Sequence, residues 1–210
     1  MKVFLMQGDS ITDAHRDRST KEPKKVDLMG RGYAYFTASA LELKYPGEYT
    51  YINRGHDRDR IVDLYARSRK DLIVLEPDVL SILIGVNDVL HEYTHQNGVD
   101  PEKFEMIYNM MMDEVQEALP NTKVILMGAF VMPNLKEFDY ATFRAEVAER
   151  AAITKKIADE RGFKYVDLQA LFDEAQARGV QHLTLDGIHP DYAGCSLIKN
   201  ALVAAFEEVR

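Results

Sequence analysis

The sequence predicts an α/β fold in which helices cover both faces of one five-stranded parallel sheet. Short apolar runs alternate about five times with longer segments of helical spacing, the pattern of parallel strands joined by crossover helices. The run at 78–84 is apolar almost throughout, as a strand covered on both faces requires. No repeat, low-complexity stretch or linker divides the 210 residues, so we expect a single domain spanning 1–210.

The first strand is predicted near the amino terminus, where the apolar run Val3–Met6 precedes Gly8. Glycine allows backbone geometry that a β-branched residue would resist. Asp9 and Ser10 follow at once, so we expect them just beyond the carboxyl end of this strand, where open parallel sheets bind ligands. A simpler interpretation, in which either residue only caps a following helix, stays open.

The remaining elements follow from apolar spacing and from proline and glycine stop signals. Further strands are predicted at Tyr49–Asn53, Asp78–Ile84, Lys123–Ala129 and Phe163–Val166. Helices are predicted from Tyr33 to the Pro46-Gly47 stop and at Asp57–Lys70, Pro101–Leu119, Tyr140–Arg161, Asp167–Arg178 and Asp191–Val209. The polar loop His15–Asp27 is either a solvated surface loop or a rim that touches substrate.

Composition excludes several classes of function. The net charge of −8 argues against a nucleic-acid partner. Cys195 is the only cysteine, so the chain has no intramolecular disulfide and no cysteine cluster for zinc. No apolar segment approaches the roughly 20 residues of a membrane span, and no signal-peptide core is visible. We therefore expect a cytoplasmic protein with no membrane partner, for which a symmetric homo-oligomer is compatible with the size.

Polar residues at strand ends and in a late loop suggest nucleophilic catalysis. A serine hydroxyl needs a base to take its proton, and His189 is the candidate base for Ser10. Asp186, three residues before His189, is close enough to orient the imidazole. The oxyanion of an ester intermediate needs hydrogen-bond donors, which the Ser10 and Gly55 N–H groups and the Asn87 amide could supply.

Each of these residues also has a simpler explanation. Gly55 and Asn87 could be turn residues, and His189 a satisfied loop histidine. Asp186 and His189 could bind a metal, but no third ligand stands at a clear spacing, so we predict no metal and no cofactor. Tyr33, Tyr35 and Phe36 could lie in the core, line a sugar platform or sit between subunits.

Four sequence blocks resemble those of the SGNH, or GDSL, hydrolase family. They occur in the family's order across nearly the whole chain: GDSIT at 8–12, Asn53-x-Gly55, Gly85-x-Asn87-Asp88 and Asp186-x-x-His189-Pro190. The resemblance implies a flavodoxin-like, three-layer α/β/α fold. It also implies a Ser10 nucleophile, a His189 base with Asp186 as its partner, and an oxyanion hole that includes Gly55 and Asn87. Supporting roles are expected for Asp9 and Asp88. The chain departs from the family pattern at 56–58, where His56, Asp57 and Arg58 replace small, hydroxyl or glycine residues.

Three segments look most like the intracellular bacterial branch of this family, which includes carbohydrate acetylesterases. They are the first block, Gly-x-Gly-Tyr at 30–33 and GVNDV at 85–89. This resemblance implies a small-molecule ester substrate, for example an acetylated xylo-oligosaccharide, and a small acyl pocket. Two alternatives stay open: an esterase of small alcohol or lipid esters, and a noncatalytic ligand-binding module. Against the latter, neither GxxxxGK[ST] nor GxGxxG follows the first strand.

Overall fold

A computed structural model describes residues 1–19 and 25–210. Its five strands are all parallel and form one sheet in the order β2-β1-β3-β4-β5, which confirms the predicted three-layer α/β/α fold. Their bounds are β1 Lys2–Gly8, β2 Tyr49–Asn53, β3 Val79–Leu83, β4 Lys123–Met127 and β5 Lys164–Val166. All five strands lie where the sequence predicts them.

The helices match the prediction less completely. In the described ranges they are α1 Ser10–Asp13, α2 Lys25–Met29, α3 Tyr33–Lys44, α4 Ile61–Asp71, α5 Val86–His95, α6 Pro101–Ala118, α7 Tyr140–Arg161, α8 Leu168–Ala177 and α9 Tyr192–Val209. Two of these, α2 and α5, were not predicted, and α1 is the helix that the open capping interpretation of Asp9 and Ser10 allowed. The start of α4 was also wrong, because the Asp63 carboxylate accepts the Arg60 N–H at 3.0 Å and so caps the helix at Arg60 rather than Asp57.

Side chains that alternate along β1 enter two different cores. Phe4 and Met6 pack with α3, α8 and α9 on one face, where the Phe4 and Phe206 rings stack at 5.1 Å. Leu5 points to the opposite face and packs with residues of α4, α6 and α7. The sheet is therefore covered on both sides, which explains the nearly continuous apolar sequence of its central strands.

The register of the sheet brings the ends of β1, β2 and β3 together. Gly8 at the end of β1 pairs with Leu83 of β3, and Met6 pairs with Asn53 of β2. The chain leaves β1 toward β2 on one side and later returns to β3 on the other, so the topological switch point lies beside Ser10. Segments that follow three strands thus meet at one edge of the sheet.

In the described part of the chain, every helix is too short or too polar to cross a lipid bilayer.

Gly8 is required for both its backbone angle and the absence of a side chain. Its φ is +154°, and a Cβ there would lie 2.3 Å from the Leu83 carbonyl oxygen and 2.3 Å from Thr12 Oγ1. Gly47 also has a positive φ, +72°, but no atom lies within 4 Å of a Cβ at that position. Substituting each of these two glycines therefore separates the loss of stability caused by a steric clash from the loss caused by the backbone angle alone.

We expect Gly8→Ala to lower the free energy of unfolding by at least about 2 kcal/mol, because strain and overpacking act together. Gly47→Ala should cost only about 1 kcal/mol, the backbone term alone. Urea denaturation of both variants measures the difference. Equal losses would contradict the close approach of β1 to β3 and α1.

Candidate active site

Asp9 sets the position of Ser10. The Asp9 side chain accepts the Ile11 N–H at 2.9 Å and its carbonyl oxygen accepts the Asp13 N–H at 2.8 Å, so Asp9 is the N-cap of α1. Thr12, one turn along, is fixed by a 2.8 Å hydrogen bond between its hydroxyl and that of Tyr33. The capping interpretation of Asp9 is therefore correct, and Ser10 begins the helix with its side chain available for another contact.

Ser10, His189 and Asp186 form a continuous hydrogen-bonded chain. The Ser10 Oγ lies 2.9 Å from His189 Nε2, and His189 Nδ1 lies 2.7 Å from Asp186 Oδ2. The second carboxylate oxygen of Asp186 accepts the N–H groups of Ile188 at 2.9 Å and His189 at 2.8 Å. The tight turn at Asp186 therefore fixes the histidine backbone and orients the imidazole with the same carboxylate.

The loop that carries His189 is itself held at both ends. The Leu185 N–H donates to the His189 carbonyl at 2.9 Å, and the Asp191 N–H donates to the Leu183 carbonyl at 3.1 Å. Gly187 has φ +97° and packs against Leu135, with no room for a Cβ. These bonds hold the imidazole in place before substrate arrives.

The Asp186–His189 pair shifts the pKa values of both groups. The hydrogen bond that His189 donates to Asp186 is the largest influence on the imidazole and raises the pKa of His189 above the ordinary value of 6.5. Burial by itself would raise the pKa of Asp186, but hydrogen bonds from the ring and backbone of His189 and from the Ile188 N–H lower it to about 2. The carboxylate is thus ionised at neutral pH and stabilises a protonated imidazole.

Two further carboxyl groups lie buried behind the serine. Asp9 and Asp88 are each 1% exposed, and burial raises the pKa of each to about 7. Asp88 accepts the Ile61 N–H at 3.0 Å and so caps α4 from the neighbouring helix α5. This backbone contact draws the Asp88 side chain inward.

The predicted oxyanion donors differ in the hydrogen-bond partners that they already have. Ser10 is the first residue of α1, so its N–H has no carbonyl partner within the helix. The Asn87 amide donates one N–H to the Asp59 carbonyl at 3.1 Å and has a second to offer. The Gly55 N–H donates to Asn53 Oδ1 at 2.8 Å, and its role in the oxyanion hole stays a prediction. Gly55 also allows close packing: a Cβ there would lie 2.2 Å from the Asp13 nitrogen.

The loop between β2 and α4 contains the departure from the family pattern. The His56 N–H donates to the Gly8 carbonyl at 2.9 Å, and Arg58 adopts φ +65°, a left-handed conformation that favours glycine. Asn87 and Asp88 hold the far end of this loop through the Asp59 carbonyl and the Ile61 N–H. The loop therefore keeps a defined shape beside Ser10 although its side chains are unusual.

A cavity of about 900 Å³ opens beside Ser10 and His189. Its wall includes His15, Arg16 and Arg18, so this part of the 15–27 loop lies at the cavity, and its contact with substrate stays a prediction. Lys21 and Lys24 of the same loop lie outside the described residues. The Arg16 Nε donates to the Gly55 carbonyl at 2.9 Å, and Arg18 forms a 2.6 Å ion pair with Asp13.

Aromatic residues near the cavity have different roles. Tyr33 is fully buried in the core, and Tyr35 is partly buried against it, whereas Phe36 on the same helix is 38% exposed and lines the cavity. Leu185 and Tyr192, which lie on either side of His189 in the sequence, also line the cavity. Leu185 and Tyr192 were not predicted as site residues, because their only sequence signal is proximity to Asp186 and His189.

Within residues 1–19 and 25–210, no three histidine, cysteine, aspartate or glutamate side chains converge as metal ligands. The functional groups of the site are a hydroxyl, an imidazole and a carboxylate, joined one to the next by hydrogen bonds.

A hydroxyl–imidazole–carboxylate chain at the switch point of a parallel sheet is the arrangement of a serine hydrolase. Residues 7–197 match the model of the GDSL-like Lipase/Acylhydrolase family. The chain belongs to this family, and it is a carboxylic ester hydrolase.

Relatives with known names support the same class. The acetylxylan esterase of Geobacillus stearothermophilus is 29% identical over 99% of this chain and 95% of its own. The structure of that organism's acetylxylan esterase Axe2 superposes with a TM-score of 0.85 at 28% identity, covering 100% of this chain and 96% of Axe2. A structure from Parabacteroides merdae ATCC 43184 described as a GDSL-like lipase superposes with a TM-score of 0.91 at 32% identity, covering 98% and 95% of the two chains.

Proposed function

We propose that the protein is a serine esterase that removes short acyl groups, acetyl above all, from carbohydrate esters such as acetylated xylo-oligosaccharides. The observation that carries the proposal is the chain of two hydrogen bonds, 2.9 Å from Ser10 to His189 and 2.7 Å from His189 to Asp186. These two hydrogen bonds already have the geometry that general-base activation of a serine requires.

The first half of the reaction forms an acyl-enzyme. Asp186 accepts the Nδ1–H of His189, which leaves the Nε2 lone pair facing the Ser10 hydroxyl. As Ser10 Oγ attacks the ester carbonyl carbon, His189 takes the hydroxyl proton and becomes an imidazolium stabilised by Asp186. The Ser10 N–H and the second N–H of Asn87 then donate to the oxyanion, each contributing on the order of 3 kcal/mol.

Collapse of this tetrahedral intermediate completes the first half. The carbon–oxygen bond to the sugar breaks, the His189 imidazolium gives its proton to the departing alkoxide, and the acyl group remains on Ser10 Oγ. The second half regenerates the serine. A water molecule attacks the acyl carbonyl carbon while His189 takes its proton, the bond between the acyl carbon and Ser10 Oγ breaks, and His189 returns the proton to Ser10 Oγ.

Two observations support a sugar ester as the substrate. The relatives include the acetylxylan esterase of Geobacillus stearothermophilus, and solved variants of Axe2 carry the name acetyl-xylooligosaccharide esterase. The cavity of about 900 Å³ lies at the upper end of the ~300–1,000 Å³ range typical of small-molecule sites, far more than an acetyl group fills. The extra volume suits a bulky alcohol component.

We expect Ser10→Ala to lower kcat/KM for acetate release by at least about 1,000-fold, because the nucleophile is lost. The measurement compares wild type and variant on a chromogenic short ester, an acetylated xylo-oligosaccharide, other acetylated sugars and ethyl acetate. Ser68→Ala, on helix α4 and outside the cavity lining, is the matched control and should keep wild-type activity. Equal activity of Ser10→Ala and wild type would overturn the assignment.

The pH profile tests the base. Neutral His189 is the active form, and Asp186 raises its pKa, so kcat/KM should rise with pH through a midpoint above 6.5. Asp186→Asn removes the main cause of the shift, so its much lower residual activity should titrate with a lower midpoint. A wild-type profile that is flat from about pH 5 to 8 would contradict His189 as the base.

A further inference from the structure

Tyr192 presents a large aromatic surface next to the proposed catalytic residues. It is the first residue of α9, three positions after His189, and 62% of it is exposed. Its side chain lines the same cavity as Ser10 and His189. An exposed tyrosine in such a place is either an ordinary surface residue or part of the substrate site, and its surroundings distinguish the two.

Asp191 holds this tyrosine rigidly. One Asp191 carboxylate oxygen accepts the Tyr192 N–H at 2.7 Å, and the other lies 3.3 Å from His182 Nδ1. The His182 ring stacks on the Tyr192 ring with centroids 4.9 Å apart and planes inclined by 26°. A single carboxylate therefore fixes the tyrosine backbone and the histidine that supports its ring.

The stacking leaves one face of the tyrosine ring available. Tyr192 lines the cavity and His182 does not, so a ligand in the cavity would meet the part of the Tyr192 ring that His182 leaves uncovered. Because the ring is preordered, binding a flat apolar surface there costs little side-chain entropy.

The position of the Tyr192 ring relative to Ser10 determines which part of the substrate the ring can contact. The acyl carbonyl must lie against Ser10 Oγ, and an acetyl group fills only a small fraction of the 900 Å³ cavity. The alcohol component therefore extends along the remaining wall, where Tyr192, Leu185 and Phe36 provide apolar surface. Arg31 and Asp57 on the same wall can bond to hydroxyl groups at the edge of a sugar.

Resting on the proposed function, we propose that Tyr192 is a stacking platform for the pyranose ring of the acetylated sugar and thereby determines specificity for carbohydrate esters. One face of a pyranose ring presents C–H groups, which pack against the electron-rich face of an aromatic ring. Tyr192 takes no part in proton transfer; it holds the sugar so that the acetyl carbonyl reaches Ser10.

The test compares a sugar ester with an ester that cannot stack. For an acetylated xylo-oligosaccharide, Tyr192→Ala should raise KM about 10-fold with kcat nearly unchanged, equivalent to about 1.4 kcal/mol of binding. For ethyl acetate, kcat/KM should stay within about 2-fold of wild type, because no ring contacts the tyrosine. Tyr192→Phe keeps the ring and should behave as wild type on both esters. Tyr93→Ala removes a partly exposed tyrosine outside the cavity lining and should alter neither KM.

Each of the other possible results would overturn the stacking role of Tyr192 for a different reason. Equal losses on both esters would mean that Tyr192 only supports the His189 loop. An unchanged KM for the sugar ester would mean that the ring does not stack. A wild-type protein active on ethyl acetate but on no acetylated sugar would remove the proposed substrate class and the platform with it, whereas inactivity on all esters would overturn the esterase mechanism itself.

Discussion

The hydrogen bond between Ser10 and His189 joins residues 179 positions apart, and the parallel sheet makes it possible. Ser10 follows the central strand β1, so its position is fixed from both sides by the pairing of β1 with β2 and β3. His189 comes from the loop before the last helix, which packs against the same sheet face as Phe4 and Met6. A change in strand register would move Ser10 by about 3.3 Å per residue and break the contact.

Two asparagines and an aspartate connect the segments around Ser10. The Asn53 amide donates to the carbonyls of Thr12 at 2.6 Å and Met29 at 3.0 Å, while its oxygen accepts the Gly55 N–H. Asn87 and Asp88 bind the opposite end of the β2–α4 loop. Buried amides and carboxyls that are satisfied by backbone groups fix loop geometry more sharply than apolar packing does. In the proposed mechanism, this network keeps the oxyanion donors in place before the ester binds.

The sequence was sufficient to predict the fold and the three proposed catalytic residues because their signals are local. Apolar runs mark the strands, and Ser10 stands directly at a strand end. Asp186 and His189 are three residues apart, so the turn between them brings their side chains together without help from the rest of the chain. Helix α5 was missed although Val86, Val89 and Leu90 have helical spacing, because the segment was considered only as the polar end of a strand, with Asn87 as a possible turn residue.

Other features depend on contacts between distant segments. The direction of the Gly55 N–H depends on the rotamer of Asn53, and the burial of Asp88 depends on the start of α4 beside it. The role proposed for Tyr192 depends on a ring stack with His182 and on the shape of the cavity. No periodicity or residue spacing encodes these contacts, so residue types alone could not reveal them.

The central claim is that an acyl group is transferred to Ser10 during turnover. The most direct measurement is acid quenching during hydrolysis of a chromogenic acetate ester, followed by mass spectrometry of the peptide that contains Ser10. The proposed mechanism predicts a peptide heavier by one acetyl group, with the modification on the Ser10 hydroxyl, that disappears when substrate is exhausted. An active enzyme that carries the acetyl group on another residue, or on none under conditions where acyl transfer outpaces its hydrolysis, would contradict the mechanism.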